Sequence, residues 1–283
     1  MWVLRGAGMT NSAMSNSALI EQIKDDLGYL KLHRSAEVFA TLAETARQEE
    51  SSPLEFLAAL VAEEVTATRQ RRLSARLRFA HFPTRRTLED FDFSFQPSIN
   101  PKVIADLGGL GFVEAGTPIL LLGKPGCGKS HIAIALAIRA VEAGYRGYFT
   151  TATDMVAAMS AAYIDGTFAI KLRTYTGPSV LVIDDVGITP FDRAQANAFF
   201  QVVNRRSENR SATIVTTNRG LPAWAELFGS DAVVAAAILD RLLDGAAVIN
   251  IKGGSWRLRE HQALTQPLAQ LNDAPERPSR KRR

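Results

Sequence analysis

Nine consecutive residues, Gly123, Lys124, Pro125, Gly126, Cys127, Gly128, Lys129, Ser130 and His131, combine three glycines with lysines and a hydroxyl. Gly123, four residues and then Gly128-Lys129-Ser130 satisfy the phosphate-loop pattern, set between the apolar run Ile119 to Leu122 and the helical pattern "HIAIALAIRAVEAG". Glycines let backbone N–H groups turn inward on a β-phosphate, and the helix N-terminus adds partial positive charge. Lys129 suits the β- and γ-phosphates, Ser130 suits Mg2+, and Cys127 fills a free position where it is expected to pack rather than react.

A second metal ligand should end another core strand. The stretch "SVLVIDDVG" supplies it: four apolar residues, Val180 to Ile183, then Asp184 and Asp185. Asp184 is expected to hold Mg2+ through water, and Asp185 to orient or deprotonate the attacking water. The next run, "ATIVTTN", ends at Asn218, which suits either a γ-phosphate contact or a cap on the following turn. No Asn-Lys-x-Asp signature for guanine occurs in the chain, so ATP is the expected nucleotide. Two further cations stand near the end: Arg241 in "AAILDRLLDGA", next to Asp240, and Arg257 in "GGSWRLREH". An arginine can complete its own phosphate site or, as a finger, that of a neighbour, although Arg241 could equally pair with Asp240 or Asp244.

These residues need a scaffold, and the sequence texture supplies one. From about residue 100, short Val/Ile/Leu-rich runs at 118–122, 146–151, 179–183, 212–217 and 246–251 alternate with helical patterns, which predicts a parallel sheet with helices on both faces. Upstream, Leu19, Ile20, Ile23, Leu27 and Leu30 recur at helical spacing. Ser52-Pro53-Leu54-Glu55 then opens a second helix with a capping box. That helix runs into seven arginines, Arg69, Arg71, Arg72, Arg76, Arg78, Arg85 and Arg86, with no acid among them between Glu64 and Glu89. Uncompensated arginines on one surface are what phosphate neutralisation needs, so the run predicts nucleic-acid contact.

The 283 residues carry 46% hydrophobic and 22% charged positions and a formal net charge of +4, as expected for an ordinary globular chain of two domains. The single cysteine excludes internal disulfides and a cysteine-based zinc site, and suits a reducing cytoplasm. No apolar run approaches the length of a membrane span. The tail "APERPSRKRR" is too Pro-rich and basic for a core.

The chain resembles the AAA+ ATPases, and among them the IstB-like transposition helpers, relatives of DnaC-type helicase loaders. The resemblance rests on "LGYLKLHRSAEVF", "RQRRLSARLR", "LEDFDF", "GKPGCGKSHIA", "YFTTATDMV", "VLVIDDVG", "ILDRLL" and "GSWRLRE". It implies an α/β AAA+ domain with a five-stranded parallel sheet over 89–262, preceded by a helical DNA- or partner-binding domain over 19–88, with flexible tails at 1–18 and 263–283. It also implies an ATPase that assembles as a ring or filament on duplex DNA and hands a target site to a partner transposase. Arg241 matches the family's trans-acting finger, Arg257 its second sensor and Asn218 its first. Asp185 stands where glutamate is common in the wider superfamily. Against this reading stand a helicase loader, which would prefer single strands, a small-metabolite kinase, which has no use for clustered arginines, and a non-hydrolysing adaptor, which would not need Asp184, Asp185 and Asn218.

Overall fold

A computed structural model of the chain describes residues 16–228, 231–256 and 259. The chain forms two compact units, one up to Ser74 and the other from Ala75 onward.

The first unit contains α1 (Asn16–Tyr29), α2 (His33–Gln48) and most of α3 (Pro53–Phe79). The capping box forms as the sequence predicts: the Ser52 amide donates to Glu55 Oε2 at 2.7 Å and the Glu55 amide to Ser52 Oγ at 3.3 Å. Helix α2 is held to α3 by the edge-on pair Phe39–Phe56, ring centroids 5.9 Å apart, and by polar groups. The Ser35 amide donates to buried Glu64 at 2.8 Å, and Arg34 pairs with Glu63 at 2.9 Å.

The second unit begins inside α3, whereas the resemblance implies a boundary at 88 and the sequence texture changes only at about residue 100. The difference has a physical cause: the segment after α3 is tied to the sheet. The Phe149 amide donates to Ala80 O at 2.8 Å, and His131 Nε2 donates to Thr87 O at 2.8 Å. Then follow α4 (Pro101–Gly108), α5 (Gly111–Ala115), β1 (Ile119–Gly123), α6 (Lys129–Glu142), β2 (Gly147–Thr151), α7 (Ala152–Ile164) and α8 (Phe168–Thr176). The chain continues through β3 (Val180–Val186), α9 (Arg193–Glu208), β4 (Ala212–Thr217), α10 (Trp224–Leu227), α11 (Ala232–Leu243) and β5 (Ala247–Ile251).

All five strands are parallel, in the order β2-β3-β4-β1-β5. The inner strands are mostly apolar because both faces are covered, and most of the polar exceptions, Asp184, Asp185, Thr216 and Thr217, cluster at the strand ends. Ile119, Leu121, Val180, Val182 and Ile214 pack with Ile132 and Leu136 of α6 and with Ile104 and Phe112 of α4 and α5. Leu120, Leu122, Leu181, Ile183 and Val215 pack on the other face against α7, α9 and α11. Parallel strands give the sheet two chemically distinct edges, one where every strand starts and one where every strand ends. Ligands of such sheets gather at the strand ends, where the connections diverge.

Candidate nucleotide site

The phosphate loop leaves the end of β1, the strand between β4 and β5, and enters α6. Its glycines are required by geometry. Gly126 and Gly128 have φ of 78° and 97°, where a side chain is strained. A Cβ on Gly128 would meet the Phe91 ring at 2.5 Å, and one on Gly126 would collide with Ser255 Oγ. Cys127 is buried and packs in the core, as its sequence position suggests. Lys129 is only 5% exposed, and its Nζ donates to Lys124 O at 3.0 Å, so the cation is held over the loop itself.

Ser130 Oγ donates to Asp184 Oδ1 at 2.8 Å, which joins the first turn of α6 to the end of β3. Hard oxygens at this spacing fit Mg2+, which takes few protein ligands and completes its shell with water and phosphate. Asp184 and Asp185 occupy a register shift between Ile183 and Val186 of β3, and Asp185 has φ of 59°. This bulge turns consecutive carboxylates out of the alternation that a regular strand would impose. Thr216 of β4 secures it. Its hydroxyl donates to Asp184 Oδ1 and accepts from the Asp185 amide at 2.9 Å. Thr216 is fully buried and reads in the sequence as an ordinary strand residue, so nothing there announces its role.

Asn218 is the first residue past β4 and is exposed at the strand-end edge. The turn that follows is capped instead by Thr217, whose Oγ1 accepts from the Arg219 amide at 3.1 Å. The back of the loop is strapped by the segment after β5. The Trp256 amide donates to Gly126 O at 2.9 Å, Gln96 Nε2 donates to Gly254 O at 2.8 Å, and Arg259 stacks over Phe95 and Trp256 at 5.1 and 5.3 Å. Arg257 lies outside the described residues.

Arg241 stands apart. It precedes β5 at the edge where strands start, and donates to Asn204 Oδ1 at 3.1 Å and to Asp240 Oδ2 at 2.7 Å. The pairing with Asp240 that the sequence leaves open is therefore formed. Each strand residue rises about 3.3 Å, so five-residue β1 alone separates this edge from the loop by roughly 13 Å.

The arginine run is corrected in two places. Arg71 is not uncompensated: it reaches back two turns to Glu64 at 2.6 Å, and Arg85 pairs with Glu142 of α6 at 3.5 Å. Acids absent from the run are supplied from outside it. Arg69 and Arg72 are exposed, and their side chains make no hydrogen bond or ion pair with any described residue. In the second unit, Arg76 is half-buried and Arg78 lies over the Phe79 ring at 5.7 Å.

A family model described as IstB-like ATP binding protein matches residues 25–263. The chain is 39% identical over 250 residues to the ATP-binding protein assigned to insertion sequence IS21 in Pseudomonas aeruginosa, covering 87% of this chain and 94% of that one. Its counterpart for insertion sequence IS5376 in Geobacillus stearothermophilus is 38% identical over 240 residues, covering 85% and 95%. Among solved structures, AMPPCP-bound DnaA from Aquifex aeolicus matches with a TM-score of 0.52 at 21% identity, over 66% of this chain and 56% of that one. At that identity the likeness is one of fold. Among the described residues no helix is long and apolar enough to cross a membrane.

Proposed function

The chain belongs to the IstB-like ATP-binding family of AAA+ proteins, and from that premise we propose that it hydrolyses ATP while assembled on duplex DNA and assists a partner transposase in target-site selection. The relatives named for insertion sequences support the transposition setting. The observation that carries the mechanism is the division of charge between the two sheet edges. Lys129, Ser130, Asp184, Asp185 and Asn218 gather where strands end, and Arg241 is held where they start.

In this reading, loop N–H groups and Lys129 bind the triphosphate, with Lys129 exchanging its Lys124 carbonyl for phosphate oxygens. Ser130 and Asp184 would hold Mg2+, which when bound neutralises charge on the β- and γ-phosphates. Asp185, aimed by the bulge and Thr216, accepts a proton from water or orients it, and Asn218 fixes that water or contacts the γ-phosphate. Arg241 is too far from its own loop to contribute there and acts on the nucleotide of a neighbouring copy, which makes assembly a condition of turnover. Arg257 takes the second-sensor role implied by the family, and Arg69, Arg72, Arg76 and Arg78 contact DNA phosphates, with Arg71 in a structural role. The setting is cytoplasmic.

Electron microscopy of Asp185→Asn with ATP tests this reading, because that variant should load nucleotide without consuming it. Ordered oligomers are expected on duplex DNA. Assembly on single strands alone would overturn the transposition reading in favour of a helicase loader, and no assembly on either would remove the oligomeric mechanism.

A further inference from the structure

The strand-start edge carries a cavity of about 290 Å3, walled by the turns that lead into β1, β4 and β5. Arg241 lines it, and so does Arg210, on the turn between α9 and β4, together with the polar residues Thr117, Ser207, Ser211 and Asp244. Resting on the trans reading of Arg241, we propose that this cavity receives the γ-phosphate end of the ATP bound by an adjacent copy of the chain, and that Arg210 is a second cation delivered there.

Three observations carry this. The other arginines of the α9 end are committed. Arg205 pairs with Glu208 at 3.3 Å, and Arg206 is completely buried, donating to Thr213 Oγ1 and to the carbonyls of Tyr175, Pro178, Ser179 and Ala212. Arg210 alone of the three is exposed without a side-chain hydrogen bond or ion pair to any described residue. Second, Arg241 is already partnered by Asp240, so it brings direction more than net charge, whereas Arg210 brings an uncompensated positive charge. Asp244, the one carboxylate of the wall, forms a salt bridge with neither arginine.

Third, Arg210 holds a left-handed backbone, φ 48°, which asparagine or glycine would adopt more cheaply. Its backbone is nested against Gly116, itself at φ 71°, so closely that a Cβ there would strike the Arg210 carbonyl. Two interlocked turns thus fix the backbone from which Arg210 reaches the cavity wall. Lys31, Glu50 and His81 hold the same left-handed turn just past α1, α2 and α3, so the turn is ordinary helix termination, and what sets Arg210 apart is the unpaired cation it carries into the cavity wall. The ligand chemistry that such a cation suits is the charge spreading over the γ-phosphate oxygens during transfer, which guanidinium groups stabilise once the adjacent copy's nucleotide engages them.

The test is ATP turnover by the full chain on duplex DNA. Arg210→Asn keeps the left-handed turn and removes the cation, and Arg210→Gly replaces it should the first variant not fold. Turnover should fall about 10- to 100-fold, while ATP affinity of the unassembled subunit stays within twofold and Arg210→Lys recovers most of the loss. Mixed with Lys129→Ala, which keeps both arginines, Arg210→Asn should regain part of its activity, as Arg241→Ala should in the same mixture. Turnover of Arg210→Asn within twofold of wild type overturns the proposal, as does a mixture that stays inactive while the Arg241→Ala mixture recovers. If neither mixture recovers although the proteins co-assemble, the trans reading of Arg241 falls, and this inference with it. Equally tight binding of inorganic phosphate by unassembled wild type and Arg210→Asn would show that the cavity does not use Arg210 for anions.

Discussion

The strand-end edge of the sheet and the arginine face of α3 handle charge in opposite ways. At the edge, Lys129 is nearly buried and bonded to its own loop, Asp184 is held by Ser130 and Thr216, and the Asp185 backbone is tied down by the same threonine. On α3, the Arg69 and Arg72 side chains stand in solvent with no hydrogen bond or ion pair to any described residue. Phosphoryl transfer needs charges fixed to within fractions of an ångström, since positioning supplies much of the rate. Neutralising a polyanion needs charge density more than fixed geometry, because the gain comes from released counterions. Substitutions should therefore act in large steps at the edge and in small salt-dependent steps on the helix.

Lys129→Ala is the most severe test at the edge. Losing the loop's buried cation should reduce ATP affinity at least about 100-fold, measured with a fluorescent analogue, and abolish nucleotide-dependent assembly. Affinity within twofold of wild type would break the assignment. Asp185→Asn should bind ATP within a few-fold of wild type yet turn over about 10²- to 10³-fold more slowly; normal turnover would move the base elsewhere. Thr216→Val is milder and more specific. It keeps the shape of a fully buried side chain while removing the hydroxyl that serves both aspartates. A buried amide left without its acceptor costs about 1–3 kcal/mol, and turnover should drop about tenfold or more with ATP binding little changed. Thr216→Ser should restore it. If the valine variant hydrolyses normally, the carboxylates are held by the bulge alone.

How legible these regions were follows from what holds them. The five strands agree with their sequence runs to within a few residues, and the signal is strongest in the inner strands β1, β3 and β4, where burial on both faces writes an apolar run. The meeting of Ser130 with Asp184 at the strand ends is legible in advance because the expected chemistry fixes residue type and spacing together. Thr216 is not: its role depends on a cross-strand bond to a bulge that no local pattern announces. Arg206 reads as one more basic residue of "NRRSENR", yet it is the peg that closes the α8–β3 and α9–β4 connections. Burial pushes its guanidinium down to about 9, which still leaves it charged at neutral pH. The arginine run misleads for a related reason. Arg71 finds its acid seven residues back on the same helix, where Glu64 also accepts from the Ser35 amide, and only the tertiary structure reveals that three-way contact.

That contact sharpens the last and smallest prediction, because it separates arginines that hold the protein from arginines available to DNA. Arg69 and Arg72 lie three residues apart and so share one face of α3. Changing both to glutamate should weaken duplex binding alike at all sequences, and should flatten the dependence of log affinity on log salt by about 0.9 for each lost phosphate contact. ATP binding and thermal stability should not change. Arg71→Ala should do the reverse, leaving the salt slope nearly intact while costing the first unit about 1 kcal/mol. The pH dependence of that cost has a definite sign. Burial pushes the Glu64 carboxyl up, but the Ser35 amide and Arg71 outweigh it and hold it below its ordinary value of 4.5. A lowered value in the folded state contributes stability that is fully present above pH 4.5 and is lost as pH falls through the folded value. The advantage of wild type over Arg71→Ala in urea midpoints should thus be complete at neutral pH and shrink in acid. A filter-binding titration in which Arg69 and Arg72 can be reversed without altering affinity or salt slope would leave α3 as a solvated face and dissolve the contrast with the sheet edge.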